Sequence, residues 1–235
     1  MDTIEFIRWL SIFSFVGPII FYALKFHDNP RQNHIAAALI LMSGFIDILL
    51  ALERFSLAPL CNLQDVFQFF LLTMFYHELI YKKRAGYYVS IGIGVYTAII
   101  MASIFTLGLF QNYTFLWSAS SVILTVHGLI YIFNVQTMVV DRYFDSNFFS
   151  NMILNASFMC YFLVTIMIFL LAGNVFEKAT NETIHAFWSM HNIFNILKNV
   201  GLTIGFYYTG KRKIYMSIEQ LERIAKELEK ETVDE

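Results

Sequence analysis

The chain has 235 residues, of which 57% are hydrophobic and only 14% charged, and it contains 25 Phe and 13 Tyr. A soluble domain carries about a quarter charged residues, so this composition excludes an ordinary water-soluble globule. A net charge of -2 excludes a nucleic-acid footprint, and Cys61 and Cys160 lack the CxxC or Cys/His spacing of a disulfide framework or zinc site.

A membrane-crossing helix takes about 20 mostly apolar residues. Seven windows qualify: 4–26, 35–55, 62–81, 87–110, 113–134, 149–172 and 184–208. The first reads as a span rather than a cleaved leader, because it is about twice a typical leader's apolar stretch and has no A-x-A site. Pro18 should kink it, since proline withholds one backbone hydrogen bond and crowds the preceding turn. The breaks carry the polar punctuation, from His27–His34 after the first window to Glu177–Glu182 after the sixth.

Lysine and arginine are unevenly shared between the two sets of connections. One set holds Lys25, Arg31, Lys82, Lys83, Arg84, Arg142, Lys211, Arg212 and Lys213, and the other only Arg8, Arg54 and Lys178. The positive-inside rule makes the first set cytoplasmic, with the N-terminus outside and the C-terminus inside. The expected fold is all-α: an integral membrane bundle of seven transmembrane helices over residues 1–210. A cytoplasmic amphipathic tail helix follows within 211–235, with Ile214, Ile218, Leu221, Ala225 and Leu228 forming one apolar stripe. The bilayer is the first partner this pattern implies, and the stripe allows a second copy or a cytoplasmic protein as another.

Ionisable groups inside a membrane are costly and mark functional positions. The seventh window is richest: His191, Asn195 and Lys198 follow at i, i+4 and i+7, so they share a helix face. Trp188 extends that face outward, and Asn192 and Asn199 border it. Lys198 falls near mid-window, too deep to reach water easily, and needs a partner. Asp47 on the second helix and Asp65 on the third lie at suitable depth. Gln68, Ser118, Ser120 and Ser121 complete the expected outward-facing polar pocket. Elsewhere, Glu78 is expected to pair with the Lys82–Arg84 rim. His127 reads as a hydrogen-bonded packing residue, and Asn151 and Asn155 as bonds to neighbouring helices.

Two covalent or metal chemistries bear on these residues. A lysine midway along a seventh helix is where rhodopsins attach retinal. However, residues 62–68 lack the Arg-x-x-Asp-Trp counter-ion signature, and Asn195-Ile196-Leu197-Lys198 replaces Asp-x-x-x-Lys. His185 to His191 resembles the His-Ala-x-Trp-His motif of membrane zinc hydrolases such as alkaline ceramidases. Its spacing of six turns the two rings about 240° apart on a helix, and Thr73 and His77 on helix three echo the remaining pair only loosely. No catalytic residue, metal or cofactor is therefore predicted.

Asn62 to Arg84, Phe148 to Leu171 and above all Phe187 to Asn199, running on to Gly205-Phe206-Tyr207, together resemble a family of short seven-helix membrane proteins of Bacteroidota-type bacteria. Members are often encoded near sensor histidine kinases, and the layout is similar to the seven-helix input regions of such kinases. The resemblance implies a multi-pass protein of the inner (plasma) membrane working with a separate histidine kinase, and it brings context rather than an assigned activity. The expected function is a sensor or receptor-like signalling subunit. The alternative is a small transporter or ion or proton channel using the same residues, with a purely structural assembly subunit as a third reading.

Overall fold

The computed structural model describes residues 3–51, 57–80, 83–107, 114–140, 147–175 and 181–210. These are helical apart from short turns, with no strand among the described residues. The chain runs through α1 (Thr3–Phe13), α2 (Val16–Leu24), a 3-10 turn (Phe26–Asp28), α3 (Arg31–Ala51) and α4 (Leu57–Leu79). It continues through α5 (Lys83–Leu107), α6 (Thr114–Val140), α7 (Phe148–Val175) and α8 (Asn181–Tyr208).

Among the described residues, five segments are long and apolar enough to cross a membrane: Thr3–Leu24, Arg31–Leu49, Gly86–Thr106, Leu116–Val135 and Phe148–Ile168. The distribution of side chains agrees with a bilayer as solvent. Large apolar groups face outward, with Phe105 80%, Leu24 74% and Phe133 65% exposed, while Asn33 and His127 are sealed inside at 0% and 1%. A water-soluble bundle would reverse that arrangement.

The first window is not one helix. α1 stops at Phe13 and α2 starts at Val16, leaving a turn at Ser14–Phe15. Pro18 lies four residues past Ser14 and has no N–H to return to its carbonyl. The turn is stitched to α8 instead: Asn195 donates to Ser11 Oγ at 3.0 Å and Asn199 to Ser14 Oγ at 2.6 Å. The helices also extend past several windows, as in α6 to Val140 and α7 to Val175, because hydropathy marks the apolar stretch rather than the helix that contains it.

α8 is the organising element, packing on α7, α2 and α1, while α7 also packs on α6 and α3 on α4. The α7–α8 approach is close at Gly201, where a Cβ would collide with Ser157 Oγ. Phe75, Tyr76, Phe158, Phe162 and Phe206 fill the interior, and the Phe75 and Phe158 rings meet at 5.5 Å.

The end of the bundle where α8 finishes is knotted by polar bonds. Lys25 Nζ donates to the carbonyls of Tyr207, at 2.5 Å, and Thr209, covering the negative end of α8. Asn33 donates to Asn29 Oδ1 at 3.0 Å and Thr209 Oγ1 at 2.9 Å, and Ser150 Oγ to the Gly205 carbonyl at 2.9 Å. Gly210, at φ 69°, takes the left-handed turn after the helix. The tail helix expected within 211–235 lies outside the described residues, as do the basic positions Arg54, Lys82, Arg142 and Lys178.

Glu78 pairs with Arg31 at 3.1 Å across the α3–α4 surface, while the side chains of Lys82, Lys83 and Arg84, its expected partners, lie outside the described residues. One local expectation is corrected. His127 is buried, yet among the described residues neither ring nitrogen has a hydrogen-bond partner. Its ring sits edge-on to Tyr76 at 5.9 Å, and its Nε2 occupies the space that a Cβ on Gly92 would take, 2.5 Å away. Asn151 and Asn155 do reach neighbours, Gln32 on α3 and the Gly128 carbonyl on α6.

Candidate functional site

A cavity of about 670 Å³ opens between α1, α3, α4, α6, α7 and α8. Six of the seven residues expected to form a pocket line it: Asp47, Asp65, Gln68, Trp188, His191 and Asn195. Asn192 and Ser121 join them. Ser120 turns to Asp65 instead, and Ser118 is buried off the wall.

Lys198 is the exception and the centre of interest. Its side chain is buried, 6% exposed, but it lies behind the cavity wall rather than on it. The ammonium sits over the face of Tyr161 on α7, 4.4 Å from the ring centroid. A desolvated cation–π contact of this kind contributes up to about 2 kcal/mol. Among the described residues, no carboxylate oxygen lies within the 4 Å of an ion pair with Lys198. Neither candidate partner, Asp47 or Asp65, reaches that distance, although Asp47 and Lys198 lie within range of each other's charge.

Each carboxylate is held by a different neighbour. Gln64, one turn of α4 from Cys61, donates to Ser43 Oγ at 3.0 Å and Asp47 Oδ1 at 3.4 Å. Asp65 accepts from Ser120 Oγ at 2.7 Å and from the Tyr96 hydroxyl. The Tyr96 ring packs on Phe69 with the planes tilted by 32° and the ring centroids 3.9 Å apart. Asp65 thus ties α4, α5 and α6 together while facing the cavity. On the opposite wall, the Tyr161 hydroxyl meets His191 Nε2 at 3.4 Å, and Trp188 stands edge-on to the His191 ring at 5.8 Å.

The wall is graded in charge. Glu5 and Arg8 are exposed on α1 at its edge, one of each sign. Asp47 and Asp65 are half-buried, and among the described residues no cation stands beside them on the wall. The ring surfaces of Trp117, Tyr161 and Trp188 supply the apolar part.

Sequence reasoning missed Tyr161, Gln64, Ser11 and the α1 edge. Tyr161 gave one faint signal, a hydroxyl within the apolar run 158–172 of α7, with Thr165 one turn further on. Ser11 and Ser14 gave none, since a serine that bonds its own helix and one that receives an asparagine read alike. Of the zinc-hydrolase residues, His77 is exposed and the side chain of His185 lies outside the described residues. No family model, no curated protein and no solved structure matches the chain.

Proposed function

We propose that this chain is a seven-span membrane sensor, N-terminus outside and C-terminus cytoplasmic, whose outer cavity receives a small ligand. The observation that carries the reading is the arrangement of Lys198, Tyr161 and Asp47: a buried lysine amine rests on a ring, while Asp47, which makes no ion pair with it, stands on an open wall. A charge in that setting is costly unless it has a task. A guest that engages Asp47 changes the field at Lys198 and favours another setting of α8. A ligand shifts such an equilibrium only by its differential affinity for the two states, and Asp47 supplies that difference.

α8 leads directly into residues 211–235, whose apolar stripe is the proposed contact with a cytoplasmic partner or a second copy. The family resemblance supports a separate histidine kinase as that partner and the inner membrane as the location. The basic-residue asymmetry supports the orientation. α4 and α8 are the sixth and seventh spans of this reading. They fall short of the apolarity of the other five because they carry Gln64, Asp65, Gln68, His191, Asn195 and Lys198.

Transport is the second reading, and one observation favours it. Inward of Asp65, the polar atoms of Thr73, Tyr76 and His127 are buried without hydrogen-bond partners, as they would be along a path that hydrates transiently. Proteoliposomes carrying the protein and an internal pH dye separate the two. The sensor reading expects no proton or sodium flux above empty vesicles. Flux that is lost in Asp65→Asn would replace it with a transporter.

A further inference from the structure

The cavity carries more information about its guest than its size. About 670 Å³ suits a molecule of modest size, and the charges on the wall are of one sign where it is deepest. Glu5 and Arg8 offset each other at the exposed edge, whereas among the described residues Asp47 and Asp65 have no cation next to them on the wall. The deep ammonium of Lys198 is withdrawn behind Tyr161. An anionic guest would therefore meet two carboxylates before it met that cation.

We propose that the cavity takes a small organic cation, an ammonium on an apolar or aromatic body, with the charge at Asp47 and Asp65 and the body against Trp117 and Trp188. This inference rests on the cavity being a ligand site. Aromatic faces with carboxylates behind them are how proteins hold ammonium groups, because the ring quadrupole attracts a cation and the carboxylate adds its charge. Asp65 suits the task particularly well. Its oxygens are aimed by Ser120 and Tyr96, so little ordering remains to be done when a cation arrives. Asp47 adds a competition. Lys198 lies within range of that carboxylate's charge without pairing with it, and a guest ammonium competes for the same carboxylate. Binding and the proposed shift of α8 are then one event.

Isothermal titration of the full chain in lipid nanodiscs tests this with three matched compounds: phenethylamine, 2-phenylethanol and phenylacetate. The amine should bind at least about tenfold more tightly than either congener, the worth of one charge-assisted hydrogen bond. Asp47→Asn and Asp65→Asn, which keep side-chain shape, should each weaken it by about tenfold. Lys198→Met should tighten it, because the internal competitor is gone, whereas a site for anions would be weakened by the same change. Equal or tighter binding of the alcohol or the acid, blocked by Ser121→Trp, would leave the ligand site standing and overturn the cation. An amine affinity indifferent to both aspartates, or reduced in Lys198→Met, would overturn it as well. Failure of all three compounds to bind would overturn the cation and remove support from the ligand site together.

Discussion

At the proposed inner end of the bundle, Lys25, Asn29, Asn33, Ser150 and Thr209 direct their polar atoms at one another and at the last carbonyls of α8. At the proposed outer end, Asp47, Asp65, Gln68 and His191 surround an open space. Both sets sit among apolar helices, and both would be expensive if left facing lipid. The inner set answers that cost with bonds that fix α2, α3, α7 and α8. The outer set answers it by lining a cavity. Polar residues in the one region bond to one another, and in the other they face the space proposed to take a guest.

Substitutions can break this contrast. Asn33→Leu should have the largest effect on stability. It removes two side-chain bonds at a fully buried position, a loss of about 2–3 kcal/mol, visible as a lowered unfolding midpoint in nanodiscs with ligand affinity unchanged. Ser150→Ala removes the hydroxyl that bonds the Gly205 carbonyl and Thr209 and should cost about 1 kcal/mol in the same assay. Gln64→Leu lies on the cavity, where water relieves the partners it leaves. It should change stability by less than about 0.5 kcal/mol while altering affinity at Asp47. Arg31→Ala, which breaks a pair between side chains 73% and 28% exposed, should fall at or below that level. A destabilisation by Gln64→Leu as large as that of Asn33→Leu would erase the difference between the two ends.

The sequence made the outer region more legible than the inner one. His191, Asn195 and Lys198 stand out because a membrane helix gains nothing from lipid by placing polar groups at helical spacing in an apolar run. Asp47 and Asp65 stand out for the same reason. The partnership of Lys198 was not legible. A cation resting on Tyr161 depends on one ring among 13 tyrosines and 25 phenylalanines, and nothing in the order of residues marks that ring. Lys25 signals topology in the sequence, yet it also covers the end of α8, 182 residues along the chain from Tyr207. Pro18 pointed to an interrupted first helix. The position of the turn depended on Asn195 and Asn199 as well, and those arrive from the other end of the chain.

His127 shows the limit of reasoning by type. A buried histidine usually has a partner, but the close backbone of Gly92 and the ring of Tyr76 surround this one.

A ligand site at the outer end requires above all that the cavity be open to the outside, and Cys61 on its wall reports this directly. With Cys160 replaced by Ser, intact cells are treated from outside with a membrane-impermeant, positively charged methanethiosulfonate reagent, and modification of Cys61 is followed by mass. The expected result is modification from outside, slowed by phenethylamine. Modification only after the cytoplasmic face is exposed, or none under either condition, would contradict an outward-opening site.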